Sequence, residues 1–507
     1  MLKTNKTILM VFCAIVFSAI FSSCKKDRNY DQDNLTAGPD QNFYALTSDN
    51  KLLFANAKNA SSITSQVVIS GMQSGETILG IDFRPSTGQL YGVGSTSRLY
   101  VIDVKTGVAR AIGAAAFSPA INGTSVAFDF NPTVDRIRLV TSSGQNLRLN
   151  PETGTVAATD GNINGVTNAK IASAAYTMNK AGAPTTVLYD LDATTDKLYK
   201  QDPPNDGTLV EVGSLGYDIN ETGGFDINPE GSVALAAVYT NGQSSLVTID
   251  LTTGKAAKVG NFSQQIIGLA MPTEPVAYAL SNTNELLIFN PASTTPVPVS
   301  KPITGIQSGE KLVGIDMRPL NGQLFALGSS SRLYTINASS GLATAVGIGP
   351  LSTLLLGTHF GFDFNPTVDR IRIVSNVGQN LRVNPADGAV TVDGSISLTT
   401  ASISGAGYTN NSAGATTTVL YDIDCAGDRL YKQDPPNAGT LVSVGALGIN
   451  VESNNGFDIG GTSGDAYGIF TVSGVQKLYK VNLTSGATTA VSTITPAVSG
   501  FALGLGF

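Results

Sequence analysis

Phe128-Asp129-Phe130-Asn131-Pro132-Thr133-Val134-Asp135-Arg136-Ile137-Arg138 returns letter for letter at Phe362 to Arg372, 234 positions further on (362 − 128 = 234). A repeat of that length and fidelity marks a tandem duplication. Each copy reads as strand, tight turn, strand. Phe128 and Phe130 flank Asp129, Asn131-Pro132 makes the turn, and Ile137 alternates with Arg136 and Arg138. The chain of 507 residues is too long for one ordinary core, and two domains of about 230 residues each fit the duplication.

Working outward, each half contains a shorter period of about 40–50 residues, the span of one four-stranded propeller blade. Opening strands are expected at Gly80-Ile81-Asp82-Phe83, at the quoted stretch, at Ala174-Ala175-Tyr176 and at Gly224-Phe225-Asp226-Ile227. The first unit lacks an opening strand, and Ile267-Gly268-Leu269-Ala270-Met271 at the end of the half supplies one. Ser499-Gly500-Phe501-Ala502-Leu503 repeats this at the end of the second half. A late strand completing the first blade closes a ring and removes exposed sheet edges. The expected fold is therefore all-β, two tandem five-bladed β-propellers over residues 42–272 and 275–507, with one ten-bladed ring as the alternative. With 55 Gly, 22 Pro and only 14% charged residues, the composition suits many short strands joined by tight turns.

The first residues read as an address. Lys3 and Lys6 precede an apolar run, Ile8 to Phe21, too short for a comfortable membrane span. It ends at Phe21-Ser22-Ser23-Cys24, followed by Lys25-Lys26-Asp27, which resembles a bacterial lipoprotein signal over residues 1–23 with Cys24 as the acylated residue. Phe21 stands where an aliphatic residue is usual. Residues 24–41 are expected to tether the folded body to the membrane. Lys25 after the cysteine resembles lipoproteins sent to the outer membrane. With Cys24 lipidated, Cys425 has no intramolecular partner, so packing must supply the stability.

Several functional classes are excluded by composition. The net charge of −7 is spread without a basic block, so no nucleic-acid footprint is present. A single histidine, His359, cannot furnish a His-ligated zinc site or a Ser-His-Asp triad in each repeat, and is expected to have a loop or packing role.

Three sets of residues remain as candidates. Asp82, Asp129 and Asp226, with Asp316, Asp363 and Asp458, stand on opening strands, which line a propeller's channel. They are read as a Ca²⁺ site, as carboxylates of a glycan-cleaving enzyme, or as structural caps for their own turns or partners for a neighbouring arginine. Glu76 and Glu310 are the only matched glutamates and sit in turns. Arg136 and Arg138, with Arg370 and Arg372, share a strand face, suited to an anionic ligand or to carboxylates such as Asp135 or Asp129. The Pro-stiffened loops carrying Tyr199, Gln201 and Asp202, and Tyr431, Gln433 and Asp434, offer polar contacts and tyrosines able to stack on a sugar.

The quoted stretch, together with Gly-Gln-Asn-Leu-Arg at 144–148, Tyr-Asp-Ile-Asp at 421–424 and Leu-Tyr-Lys-Gln-Asp-Pro-Pro-Asn at 198–205 and 430–437, resembles a bacterial secreted family described only as a domain of unknown function. The resemblance spans both halves. It implies a propeller-like β domain on exported proteins and brings no catalytic residue with it. The expected function is a lipid-anchored cell-envelope binding or scaffolding protein, held at the membrane through Cys24, with an envelope protein or glycan as partner. The alternative is an extracytoplasmic glycan hydrolase or lyase using the opening-strand aspartates.

Overall fold

A computed structural model describes residues 35–507. Among these, forty strands pair into ten four-stranded antiparallel sheets. In the first half the innermost strands are Ile266–Ala270, Ile78–Arg84, Val126–Asn131, Ile171–Tyr176 and Glu221–Ile227, which define blades 1 to 5 in that order. Each packs against the next and the fifth returns to the first, so the ring closes on itself. Blade 1 combines Ile266–Ala270 with Asn42–Thr47, pairing Tyr44 with Ala270 and Leu46 with Gly268. The second half repeats this with Val498–Leu503 against Ala277–Ser281. Two five-bladed rings, each closed by its own terminal strand, leave no place for the ten-bladed alternative.

The duplicated stretch forms the inner hairpin of blade 3, with Asp129 opposite Arg138 and Asn131 opposite Arg136. Its turn follows from residue chemistry. Asn131 Oδ1 accepts from the Thr133 N–H at 3.0 Å and its hydroxyl at 2.7 Å, and the Asp135 N–H returns to the Asn131 carbonyl at 3.0 Å. Asp135 itself takes the left-handed conformation (φ 50°) that Asp and Asn tolerate best among side-chain-bearing residues. Inner strands are buried on both faces, so they read as apolar on both sides of each aspartate. Phe130 meets Tyr91 of blade 2 edge-on at 5.2 Å, and Phe364 meets Phe325 in the same way at 5.1 Å.

Two details refine the expected domain plan. Thr36 already hydrogen-bonds the Lys258 carbonyl through its N–H (2.7 Å) and hydroxyl (2.9 Å). The end of the expected 24–41 tether therefore lies on the first propeller. The signal segment and Cys24 lie outside the described residues. The two rings also touch: the Tyr278 hydroxyl donates to the Ser86 carbonyl at 2.8 Å, and the Gly506 N–H to the Thr87 carbonyl at 2.7 Å. Arg84 is 1% exposed and reaches the Gly322 carbonyl across the junction, whereas its counterpart Arg318 keeps 15% of its side chain exposed.

Candidate functional site

The six opening-strand aspartates converge as two triads. One oxygen from each of Asp82, Asp129 and Asp226 lies within 4.8 Å of the others, and the same holds for Asp316, Asp363 and Asp458. All six are buried. They cap neither their own turns nor a neighbouring arginine. Each accepts a backbone N–H from the next blade. Asp82 Oδ2 takes Phe130 N at 2.7 Å, Asp129 Oδ1 takes Tyr176 N at 2.9 Å, and Asp226 Oδ2 takes Met271 N at 2.5 Å. Asp316, Asp363 and Asp458 bind Phe364, Tyr408 and Leu503 in the same way. The staples run from blade 2 to 3, 3 to 4 and 5 to 1, and the last pins the closing strand.

Burial pushes the Asp226 and Asp458 carboxyls up to about 7, the backbone N–H bonds offsetting only part of the rise. Burial, then the charge of neighbouring triad carboxylates, holds Asp82, Asp129, Asp316 and Asp363 well above the usual carboxylate range. Asp363 Oδ2 and Asp316 Oδ1 receive no hydrogen bond. Chemically, such a group can share protons internally or surround a cation.

The arginines divide. Arg136 is half-buried and donates to the Asp135 carbonyl at 2.8 Å. Arg138 is 2% exposed and sits at the centre of the seam between blades 3 and 4. It donates to Asn146 Oδ1 (2.7 Å), Asp160 Oδ2 (2.7 Å), Asn205 Oδ1 (2.8 Å) and the Tyr176 hydroxyl (3.3 Å). Arg148 adds a second clamp on Asp160 at 2.8 and 2.9 Å. Arg372 and Arg382 repeat the arrangement around Asp393, Asn380 and Asn437, while Arg370 repeats Arg136. Neither Asp129 nor Asp135 is the ion partner of Arg138; Asp135 is claimed by Arg84. The Arg138 guanidinium is thus engaged within the seam, as the carboxylate-pairing alternative has it, but on Asp160 instead of Asp135 or Asp129.

The Pro-stiffened loop belongs to this seam. Gln201 is buried and donates to the Pro204 carbonyl, which also receives Asn146 Nδ2 at 3.1 Å. Tyr199 and Tyr431 are 2% and 8% exposed, so neither offers a stacking face, while Asp202 and Asp434 remain exposed. Gln433 repeats Gln201. Asp190 and Asp422, which sequence reasoning did not single out as site residues, are fully buried in the same blade with both carboxylate oxygens unpartnered. Burial, weakly opposed by the arginine charge, raises each to about 8. Glu76 is a turn cap, bound by Thr96, Gln73 and the Tyr100 hydroxyl.

His359 lies at the mouth of the second channel. Residues from all five blades, including Asn282, His359, Ser404, Asn455 and Ser499, line a cavity of about 280 Å³ there. The second channel mouth carries an open recess, while the triads and the Arg138 and Arg372 seams are internal.

These features define a tandem five-bladed β-propeller protein with stapled carboxylate centres and motif-built blade seams. The chain belongs to the family described as Domain of unknown function (DUF4394), whose model matches residues 51–270 and 285–502, one copy per propeller. No curated protein matches the chain.

Proposed function

We propose that the protein is a lipid-anchored cell-envelope module of the outer membrane that binds or scaffolds through its double propeller and does not cleave glycans. The observation that carries this reading is the state of the six opening-strand carboxylates. None is more than 1% exposed, each accepts a backbone N–H from the next blade, and Asp82, Asp226 and Asp458 also accept the N–H of the residue that follows them. A glycosidase needs two carboxyl groups free to flank the scissile bond. Staples between blades cannot leave their strands to do so.

The test uses the full chain in detergent with polysaccharides from the cell envelope. Retention without new reducing ends or unsaturated products is expected. Turnover that disappears in Asp129→Asn with Asp363→Asn, with melting behaviour preserved, would instead make the protein the hydrolase or lyase of the alternative. Anchoring is tested separately. Cys24→Ser is expected to move the protein from the membrane pellet to the soluble fraction, and persistence in the pellet would argue for another mode of attachment.

A further inference from the structure

The two propellers share their inner-strand plan, which makes each an internal control for the other, and their channel mouths differ. The second mouth holds a cavity of about 280 Å³, while the inner strands of the first ring leave one of about 10 Å³ between their matching residues. The sequence accounts for the difference. Ile267 lines the first ring's pocket where Ser499 lines the second (499 − 267 = 232), and Ala127 and Ser173 are replaced by Gly361 and Gly405. Gly223 is replaced by Asn455 and Ser125 by His359, which add polar groups where the first ring has none or only a hydroxyl.

The polar side chains of the second mouth are held in place. Asn455 Oδ1 accepts the Thr471 hydroxyl at 2.8 Å, and its Nδ2 donates to the Val498 carbonyl at 3.1 Å. Ser499 Oγ donates to the Leu312 carbonyl at 3.1 Å. Asn376 binds the Thr358 hydroxyl at 3.2 Å, and that hydroxyl lies 3.0 Å from His359 Nδ1. The cavity lining contains no Asp, Glu, Lys or Arg. Ile315, Phe362 and Phe457, each immediately preceding a triad aspartate in sequence, are buried in the core beneath the cavity, and the half-buried Phe360 supplies its apolar surface.

Amides, hydroxyls and an imidazole combine donors with acceptors. Uncharged and set beside the half-buried Phe360, they suit a ligand with a ring of hydroxyls and an apolar C–H face. At about 280 Å³ the cavity falls just below the usual range of ligand sites, about 300–1,000 Å³, so it takes one ring and not a chain. We infer that the second propeller's channel mouth binds a single uncharged sugar ring, free or as the terminal residue of a glycan, and that the first propeller's mouth is closed to it by Ile267. This inference rests on the binding reading above and names its site and ligand class.

The experiment is a saturation-transfer and calorimetric titration of the full chain in detergent with neutral hexoses, N-acetylhexosamines and 6-deoxyhexoses. Each is supplied free and as the terminal residue of a trisaccharide, with a uronic acid as the charged control. At least one neutral sugar is expected to bind and the uronic acid is not. Ser499→Ile, which installs the residue the first ring already tolerates, is expected to weaken binding about tenfold or more, the equivalent of about 1.4 kcal/mol. Ile267→Ser is expected to leave the affinity of the original site unchanged. Equal affinity for free and terminal sugar assigns the site to a monosaccharide, and preference for the trisaccharide assigns it to a glycan end. If no neutral sugar binds, or Ser499→Ile binds as wild type with an unchanged melting curve, the inference is overturned. Polysaccharide retention surviving that result would leave the binding reading standing, and its simultaneous loss would remove both.

Discussion

Replacing Arg372 by methionine is expected to lower the unfolding free energy by about 3 kcal/mol, read from the urea midpoint at constant m-value. Arg372 is 1% exposed, and its guanidinium holds Asp393, Asn380, Asn437 and Tyr408 together across a blade seam. Removing one member of a buried ion pair costs about 3–5 kcal/mol because the partner remains buried without compensation. Here Arg382 stays on Asp393 at 2.7 and 2.9 Å, which places the loss at the lower end. Burial alone would raise the Asp393 carboxyl, yet the bonds from Arg382 and Arg372 outweigh it and hold the group below the usual range. Adding Asp393→Asn to Arg372→Met is therefore expected to restore part of the loss in a double-mutant cycle. Arg370→Met, two residues away in the same motif, is the control. Arg370 is half-buried and donates only to main-chain carbonyls, so its loss should cost about 0.5 kcal/mol. Equal costs at the two positions would refute the seam account.

That contrast shows what the sequence made legible. The duplication, the blade period and the closing strands were all visible, because each is a local pattern of apolar alternation and turn residues. The convergence of three motifs on one seam was not. Arg138, Asn146 and Asn205 are brought together by the rotation from blade 3 to blade 4, a relation no single strand encodes. The counter-ion was harder still to see. Asp160 and Asp393 stand only 233 apart (393 − 160 = 233), so a deletion removes them from the register of the quoted stretch and only an Asp-Gly pair repeats. The opening-strand aspartates were visible as a recurring letter on channel-lining strands, but their N–H partners belong to the next blade's main chain, which carries no letter of its own. The channel-mouth difference was legible in principle. Ser499 against Ile267 is a visible substitution, and its meaning requires knowing that both positions face the same space.

The triads and the seam aspartates together set the pH dependence of stability. Asp226 and Asp458 titrate near 7 and Asp190 and Asp422 near 8 in the native chain, while an unfolded aspartate titrates near 3.9. Their stabilising contribution is complete below the unfolded value and is lost as pH rises through the folded values, because the native state keeps protons that the unfolded state has released. The slope is about −1.4 kcal/mol per pH unit for each proton retained. Asp135, Asp393 and Glu76 have depressed values, so their contribution is lost only at acid pH and does not oppose the trend above pH 5. The urea midpoint is thus expected to fall from about pH 5 to about pH 8, and a flat or rising profile would refute retained protons. Asp316 Oδ1 and Asp363 Oδ2 are both free to carry the second triad's proton, since neither receives a hydrogen bond, and at Asp363 the other oxygen, Oδ1, accepts Tyr408 N at 3.0 Å. Asparagine at that position can present an N–H where the carboxylic O–H stood and still accept from Tyr408. Asp363→Asn, with Asp129→Asn in the first triad, is therefore expected to shallow the profile and raise stability at pH 8 relative to wild type. Calcium is the competing occupant, since a bound divalent cation would keep the carboxylates ionised and favour the native state more as pH rises. The same titration repeated with Ca²⁺ and with chelator separates the two. A falling midpoint indifferent to calcium and made shallower by the asparagine pair assigns the triads to shared protons, whereas a calcium-dependent rise at pH 8, abolished by the asparagine pair, assigns them to the cation.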